Sequence, residues 1–386
     1  MPKTFFQPIN SYFCPEFSSK SASPMARKAV FYLVDSLIAV ATIIVVLLSI
    51  TGWLADQADP CRWGSIALTG LALPVLLIAD LVLAVFWALK KRWWALLPLA
   101  VLALNGSFIF SCFRIPSDNT GQPYDLKAAT YNVYGFRSER DLRFSVEHVA
   151  QIMQREGADV VCLQEFLAGH KYNADSIRKA FGFLPYSYIP ENHGKPGAIA
   201  LFSRFPITDS AYIPFPDTDN SSLWADISVK GHTIRIFNNH LQTTSISQSR
   251  AEIAALKKMG AVEIGPDTEK AMETVIGRLK DNFCRRAAQA EMVRAIIDTT
   301  KSPVVVCGDF NDTPASYVYH RMKQGLSDGF KTCGSGYGYT YRGFWHLLRI
   351  DYILHSPSLE GIRYYSPSEP WSDHNPVFME ISLDNP

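Results

Sequence analysis

The chain has 386 residues, of which 48% are hydrophobic, and its formal net charge is +1. This length exceeds one average domain, and the near-neutral charge argues against a protein that holds long nucleic acid mainly by neutralising phosphates. The seven cysteines include no CxxC pair, so the sequence indicates neither a zinc site nor a disulfide scaffold.

The first third of the chain is predicted to lie in a membrane. Three apolar runs are long enough to cross a hydrocarbon core of about 30 Å as helices, and they cover residues 30–52, 66–89 and 93–113. A signal peptide is the competing interpretation of the first run, but a secretory apolar segment has only about 7 to 15 residues. The third run is the weakest because it contains Pro98, Asn105 and Gly106.

Basic residues at the ends of the runs predict the orientation of the anchor. Arg27 and Lys28 precede the first run, and three basic residues fill the link 90–92, whereas the loop between the first two runs has only Arg62. Both basic segments are therefore expected in the cytoplasm. With three spans, the remainder of the chain emerges outside the plasma (inner) membrane; with two spans, it stays inside.

Four segments follow from this pattern: a cytoplasmic segment at 1–29, a three-helix anchor at 30–113, a linker at 114–125 and a domain at 126–384. Within the domain, helices are predicted at 141–157 and across 248–299. Short β-rich segments, each ending in polar residues, are predicted as strands: LKAATYNV, ADVVCLQEF, GAIALFSRF, SLWADISV, HTIRIFNNHL, PVVVCGDFN, RIDYILHS and NPVFMEISL. The domain is thus predicted to be of the α/β class.

Polar residues recur within these apolar strands or just past them. Carboxylates and imidazoles are costly to bury unless they are paired or bound to metal, and loops at strand ends often carry catalytic groups. We therefore expect one convergent site, formed by Asn132, Glu165, His240, Asp309, Asn311, Asp351, Asp373 and His374.

Six segments that contain these residues resemble the motifs of the endonuclease/exonuclease/phosphatase superfamily, in the same order. They are TYNVYG (130–135), CLQEF (162–166), NNHLQ (238–242), GDFND (308–312), RIDYIL (349–354) and SDHNPV (372–377). The resemblance implies a four-layer αββα sandwich of the DNase I type, here preceded by three transmembrane helices.

The resemblance also implies a divalent cation, Mg²⁺ with Mn²⁺ as the alternative. Hard cations of this kind take oxygen ligands from one or two carboxylates together with several waters. Glu165 is expected to be the principal ligand, with Asp373 and Asn132 in or next to the same shell.

Roles for the remaining motif residues follow from phosphoester chemistry. Asp309 is expected to orient or deprotonate the attacking water, and Asn311 to bind a phosphoryl oxygen or hold Asp309. His374, backed by Asp351, would neutralise charge that grows on the phosphate, and His240 would do the same from another side.

One position departs from the nuclease branch of the superfamily. Where those enzymes have an acid that supports the motif histidine, the matching stretch here contains Lys195 and no acid. We expect Lys195, with Asn132, Asn311 and His240, to contact substrate, although an exposed loop lysine is the competing interpretation.

The expected function is therefore hydrolysis of a phosphodiester or phosphomonoester by in-line attack of water. The substrate could be a lipid head group, a nucleotide or nucleic acid, with membrane lipid as a further partner and no protein partner predicted. The alternative is a catalytically inactive, membrane-tethered protein of the same fold that binds phosphate or lipid.

Overall fold

The computed structural model describes residues 24–115, 121–137, 146–166, 172–192, 195–196, 198–244 and 266–383. The chain divides into two units, Met1–Ile44 and Val45–Pro386. The predicted segment 1–29 lies mostly outside the described residues. The same holds for much of the linker, the start of the helix predicted at 141–157 and the first part of the helical region predicted at 248–299.

The apolar runs of the first third form helices. Helix α1 is Pro24–Trp53 and helix α2 is Gly64–Leu89, and the helical segment Lys28–Asp56 and α2 are each long and apolar enough to cross a membrane. The third run forms α3 (Leu96–Leu104) and α4 (Gly106–Cys112), which are bent by 61°. The bend falls at Asn105, one of the residues that weakened this run in the sequence. The pair has the length and composition of one broken span or of a re-entrant segment.

Sixteen strands occur in the described part of the chain. Four strands of two residues each lie outside the two large sheets: β1 (Phe113–Arg114), β5 (Glu191–Asn192), β6 (Lys195–Pro196) and β13 (Gly336–Tyr337). The first sheet has the order β12-β14-β11-β10-β9-β8, with the bounds Ser327–Asp328, Asp351–His355, Val304–Asp309, His232–His240, Ser221–Val229 and Ile207–Pro214. The second sheet has the order β15-β16-β2-β3-β7-β4, with the bounds Glu360–Tyr365, Val377–Ser382, Leu126–Asn132, Val160–Gln164, Ile199–Ser203 and Tyr186–Tyr188.

The two sheets pack face to face and are covered by helices on their outer faces. One buried cluster joins side chains of both sheets, such as Ala128 and Cys162 from the second and Ala225 and Cys307 from the first. Two outer clusters attach the helices, whose bounds are α5 (Val146–Arg155), α6 (Ala174–Ala180), α7 (Pro266–Thr299), α8 (Tyr317–Lys323) and α9 (Gly329–Cys333). Helices α5 and α6 pack on the second sheet, and α7 and α8 pack on the first. This is the αββα sandwich that the sequence predicted.

Both faces of the central strands are therefore buried. All seven residues of β2 and all six of β11 are buried, which explains their nearly continuous apolar character. Such runs were recognisable as strands from the sequence. Strands β8 and β15 were not predicted, and both show a mixed pattern of burial.

A disulfide bond links Cys61, in the loop between α1 and α2, to Cys284 in α7. The cysteine pattern had been interpreted as indicating no disulfide scaffold, and this interpretation is wrong for that pair. The two residues are 223 positions apart, so no local spacing could have shown that they meet. Cys162 and Cys307 are buried and form no disulfide bond.

Candidate active site

The topology brings the predicted site residues to one edge of the sandwich. Strands β2 and β3 are parallel, and so are β10 and β11, so each pair ends at the same edge. Asn132 ends β2 and is paired with Gln164, directly before Glu165, and His240 is paired with Asp309. Strand β14 runs in the opposite direction and begins at this edge, where Asp351 is paired with Asp309.

Asp309 lies at the centre of the site and is 1% exposed. One carboxylate oxygen, Oδ2, accepts hydrogen bonds from Asn132 Nδ2 at 3.0 Å and from Asn311 Nδ2 at 3.2 Å, and Oδ1 accepts from the Asn311 backbone N–H at 2.8 Å. Burial, aided by the charge of Asp351, raises the pKa of Asp309 to about 7. A carboxylate with this pKa can accept a proton near neutral pH.

His374 forms a buried pair with Asp351. Its Nδ1 is 2.9 Å from Asp351 Oδ2, and its Nε2 is 3.8 Å from Asp309 Oδ2. Burial acts to lower the pKa of His374, but the charges of Asp351 and Asp309 together outweigh burial and hold it well above the usual imidazole value. Arg349, two residues before Asp351, pairs with Asp328. The imidazole is thus held as a cation next to Asp309.

His240 approaches the same two acids from β10. Its Nε2 is 3.9 Å from both Glu165 Oε1 and Asp309 Oδ2, and it is a buried nitrogen for which the described residues supply no hydrogen-bond partner. Burial lowers the pKa of His240, although the negative charge of Glu165 acts to raise it. A neutral imidazole with an unpaired nitrogen is suited to contact a phosphoryl or leaving oxygen.

The donor set fits a hard divalent cation. The Glu165 side chain is 36% exposed and lines the pocket next to Asp373, a half-buried carboxylate, and no cysteine is among the described lining residues. Asp309, Asp351 and His374 also have ligand atoms within 4.8 Å of one another. We favour Glu165 and Asp373 as the metal ligands. A cation bound by Asp309, Asp351 and His374 would break the hydrogen bond between Asp351 and His374. It would also leave little room for the waters that Mg²⁺ retains.

Asn132 was expected in or next to the metal shell. Its Nδ2 donates to Glu165 Oε1 at 3.1 Å and to Asp309, while its Oδ1 accepts from the Tyr134 backbone N–H at 3.1 Å. In this orientation the amide holds the two carboxylates, and binding a cation through Oδ1 would require the amide to turn. Its role as a ligand stays a prediction.

Two site residues have left-handed backbone conformations that non-glycine residues seldom adopt: Glu165 has φ 51° and Asn311 has φ 54°. Glu165 directly follows the end of β3, and Asn311 lies two residues beyond the end of β11. Backbone strain of this kind costs about 1–3 kcal/mol per residue and tends to occur at functional sites.

A pocket of about 460 Å³ opens at this edge. Several lining residues were not predicted from the sequence, namely Leu71, Tyr134, Ala198, Asp219, Asn220, Thr243, Thr244, Tyr341, Leu348 and Ile350. Asn220 donates to the Leu241 carbonyl at 3.1 Å, and the Tyr341 ring lies edge-on to His374 with centroids 5.2 Å apart. Asn220 directly precedes β9, whose Ser221 pairs with His240, and only that pairing reveals its position.

Arg286 supports the site from helix α7. Its side chain is completely buried. It forms an ion pair with Asp312 at 2.9 Å and donates to the Asn311 carbonyl, which also accepts from Thr244 Oγ1 at 2.8 Å. These contacts hold the turn that carries Asn311. Lys195 lies in β6, but its side chain is outside the described residues, so its contact with substrate stays a prediction.

Two packed six-stranded sheets, with carboxylates and imidazoles gathered at one edge, define a DNase I-like α/β protein. The chain belongs to the Endonuclease/Exonuclease/phosphatase family, whose model matches residues 129–374, and members of this family hydrolyse phosphoesters. A second model, for a domain of unknown function, matches residues 35–112. The region of the apolar helices is thus also covered by a family model.

Similar proteins include the uncharacterized protein YbhP of Escherichia coli K12, which is 23% identical over 287 residues, covering 68% of this chain and 98% of YbhP. A similar solved structure is an endonuclease/exonuclease/phosphatase from Beutenbergia cavernae, with a TM-score of 0.49 and 16% identity, covering 68% of this chain and 72% of that one. Another is a mannosyl-6-phosphatase from Bacteroides thetaiotaomicron, with a TM-score of 0.45 and 20% identity, covering 66% and 99%.

Proposed function

We propose that this protein is a membrane-anchored, Mg²⁺-dependent phosphoesterase. The observation that supports the proposal most strongly is the arrangement around Asp309, a buried carboxylate whose pKa is near 7. Asp309 is held by Asn132 and Asn311 and lies 3.8 Å from the histidine that Asp351 keeps charged. A general base and a fixed cation within one pocket can serve the attack of water on a phosphoester.

In the proposed reaction, Asp309 orients a water molecule and accepts its proton as the oxygen attacks phosphorus. His374 donates a hydrogen bond from Nε2 to a phosphoryl oxygen and offsets the negative charge that develops there. His240 contacts the leaving oxygen. Glu165 and Asp373 would hold Mg²⁺, which would polarise the phosphoryl group and stabilise the leaving oxygen when bound.

The activity can be tested on the full-length protein in detergent, with p-nitrophenyl phosphate and bis-p-nitrophenyl phosphate as substrates. We expect turnover with Mg²⁺ that EDTA abolishes. Asp309→Asn should lower kcat by about 100- to 10,000-fold, the usual contribution of a general base. Asp209→Asn, at an exposed acid in β8, is the matched control and should stay within about twofold of wild type. Turnover that is absent, or that EDTA does not affect, would refute the proposal.

Metal binding gives a second measurement that does not need turnover. A ligand that binds only the native state stabilises it by about 2.7 kcal/mol at 100 times its Kd. Thermal melts with and without Mg²⁺ should show such a shift for wild type and for Asp209→Asn, whereas Glu165→Gln should lose most of it. An undiminished shift in Glu165→Gln would exclude Glu165 as the principal ligand.

We propose further that the bent pair α3–α4 crosses the membrane, which places the catalytic domain outside the cytoplasm. The disulfide from Cys61 to Cys284 supports this, because the loop after α1 and the catalytic domain must then be on the same side. After α2 has crossed, only one more crossing returns the chain to that side. Disulfides also persist in oxidising compartments outside the cytoplasm.

Reporter fusions to the C-terminus test this orientation. An alkaline phosphatase fusion, which requires an oxidising compartment, should be active, and a green fluorescent protein fusion exported in unfolded form should be dark. A bright fluorescent fusion with an inactive phosphatase fusion would contradict the proposed sidedness.

A further inference from the structure

One wall of the active-site pocket belongs to a helix that can span the membrane. Leu71 is the eighth residue of α2 and lines the same pocket as Asp309, Glu165 and His374. At a rise of about 1.5 Å per residue, it lies roughly 10 Å along the helix from Gly64. Leu348 and Ile350 also line the pocket and add to its apolar surface. The pocket wall therefore includes an apolar side chain from a helix that is long and apolar enough to cross a membrane.

Close packing holds α2 against the catalytic loop. A Cβ atom on Gly70 would lie 2.6 Å from the Ala55 Cβ and 3.4 Å from the Ala315 carbonyl oxygen, so the absence of a side chain at Gly70 allows the close approach. Ala315 also shares a buried cluster with Leu73 and Leu77 of α2. Ala315 is only six residues beyond Asp309. Helix α2 is therefore packed against the loop that follows the Asp309 carboxylate.

A second connection joins the pocket to the end of the bent pair α3–α4. Strand β1 directly follows α4 and pairs with β13, where Phe113 is opposite Tyr337. Tyr337 donates to the Leu347 carbonyl at 3.0 Å, and Leu348 lines the pocket. Exposed aromatic side chains cluster along this segment, since Phe113 is 48%, Tyr337 44% and Trp345 70% exposed. Amphipathic rings of this type are typical of membrane interfaces.

The loop that carries Trp345 is held in a specific shape. Phe344, Trp345 and His346 have φ values of 47°, 56° and 59°, three successive left-handed residues without a glycine among them. Such backbone is costly and is kept only where the surroundings determine it. In this loop Trp345 is exposed, three residues before Leu348, which lines the pocket.

Charge argues against a polynucleotide as the occupant. The described residues of the pocket wall include four acids and no lysine or arginine, and the acids are Glu165, Asp219, Asp309 and Asp373. A polynucleotide backbone usually binds to lysine and arginine side chains that neutralise several phosphates, and the described wall offers none, whereas a single phosphoester needs only one cation and the site imidazoles.

Building on the proposed function, we propose that the substrate is a lipid phosphoester. Its phosphate would occupy the site at Asp309, and its apolar chain would leave the pocket along Leu71 into the bilayer. The exposed aromatic rings of the 337–345 segment would rest in the interface on the other side. The enzyme would thereby act on phosphate groups presented by the membrane in which it is anchored.

The test compares two substrates with the same scissile bond, methyl and hexadecyl p-nitrophenyl phosphate, on the full-length protein in mixed micelles with Mg²⁺. For a monoesterase, the pair is ethyl and hexadecyl phosphate, measured by release of inorganic phosphate. We expect kcat/KM to be at least about 100-fold higher for the long-chain ester, because several methylene groups leave water on binding. Equal kcat/KM values for the two esters would overturn the inference.

Variants locate the origin of that preference. Leu71→Ala and Trp345→Ala should each lower the ratio of long-chain to short-chain kcat/KM by about tenfold. Ile78→Ala, at a residue of α2 that is 51% exposed and does not line the pocket, and Tyr186→Ala in β4 should leave the ratio unchanged. A ratio that stays at the wild-type value in both test variants would contradict the proposed path.

Two further outcomes separate this inference from the proposed function. If the soluble esters and the hexadecyl esters are all inert with Mg²⁺, the proposed function fails, and the lipid inference fails with it. If these soluble esters or a single-stranded oligonucleotide are cleaved at least as efficiently as the hexadecyl esters, the enzyme is a phosphoesterase but lipid is not its preferred substrate.

Discussion

Three ionisable groups share the buried part of the site, and their exposed fractions are 1% for Asp309, 0% for Asp351 and 5% for His374. Two buried carboxylates repel each other, so the fold must compensate for at least one of them. The imidazole does so by pairing with Asp351 at 2.9 Å while it stays 3.8 Å from Asp309. The Thr340 hydroxyl accepts from the Asp351 backbone N–H at 3.0 Å and fixes the start of β14. The result is one neutralised carboxylate and one that remains available for chemistry.

We predict that Asp351→Asn lowers kcat by about 100- to 10,000-fold. The charge of Asp351 keeps the pKa of His374 above its usual value, so without that charge the cationic form is lost as pH rises through a lower pKa. The alkaline limb of the pH–rate profile should therefore move to lower pH. Asp209→Asn should leave the profile unchanged, and an unshifted alkaline limb in Asp351→Asn would count against a charged His374.

A second histidine predicts pH-dependent stability. His355 is 2% exposed, and burial lowers its pKa below the value in the unfolded chain. The unfolded state therefore binds more protons as pH falls below about 6.5, and the stabilisation present above that value is lost. The melting temperatures of wild type and His355→Gln should diverge as pH increases from 5 to 7, because the melting temperature of wild type should rise more. Parallel curves would show that His355 does not contribute.

The sequence identified most residues of the site because each is a polar residue at the end of an apolar strand. Asp309, for example, follows VVVCG, and no solvated role explains an acid there. Asn220, Tyr341 and Arg286 were not identified as site residues. The position of Asn220 depends on strand pairing, that of Tyr341 on a loop without a regular pattern, and that of Arg286 on the packing of α7. None of these three features has a local signal in the sequence.

At the scale of elements, the two sheets are joined near the site by polar side chains. Asn238 of β10 donates from Nδ2 to the Leu163 carbonyl at 3.1 Å and to the Ala200 carbonyl at 2.8 Å, both in the opposite sheet. Its Oδ1 accepts from Gln164 Nε2 at 2.6 Å. This amide therefore connects three strands just below the catalytic edge.

We predict that Asn238→Leu lowers the free energy of unfolding by about 2–4 kcal/mol, since buried polar groups lose their partners. Ser228→Ala, in the neighbouring strand β9, is the control and should change stability by less than about 0.5 kcal/mol. Denaturant titration of the detergent-solubilised proteins measures both. A loss confined to activity, with unchanged stability, would mean that Asn238 is not a structural connection.

Strands with two buried faces were predicted well, and strands at the margins were not. Strand β8 lies at the edge of the first sheet and has exposed residues at Thr208 and Asp209. Strand β15 lies at the edge of the second sheet and contains a register shift between Gly361 and Arg363. Edge strands are half solvated, and an irregular register disrupts the alternation of apolar and polar residues by which a strand is predicted from sequence.

At the scale of the whole molecule, helices α2 and α4 contact the α/β domain directly. Arg349 is 1% exposed, pairs with Asp328 and donates from Nη1 to the Ser111 carbonyl of α4 at 2.6 Å. Leu71 of α2 lines the pocket as well. The division into a three-helix anchor, a linker at 114–125 and a separate domain stays a prediction, and these contacts join the segments on either side of that linker.

A fragment that begins at residue 125 should therefore be less stable than the full-length protein. Arg349 loses the Ser111 carbonyl, and a hydrogen bond to a charged group contributes about 1.5–3 kcal/mol. Amide hydrogen exchange should be faster in residues 310–316 of the fragment, because α2 no longer covers this loop. Equal protection in the two proteins would show that the anchor does not support the site.

The bond between Cys61 and Cys284 also imposes an order on biosynthesis. Ribosomes add about 5 to 20 residues per second, so roughly 10 to 45 s pass between the appearance of the two thiols. Cys162 emerges earlier than Cys284 and could capture Cys61 in the meantime, because the cluster that buries Cys162 in the folded protein includes Val305 and Cys307, which are synthesised after Cys284. Correct oxidation thus depends on the release of any such mispaired bond. In a pulse-chase experiment, Cys162→Ser should mature without mispaired intermediates that the wild type passes through when folding is slowed.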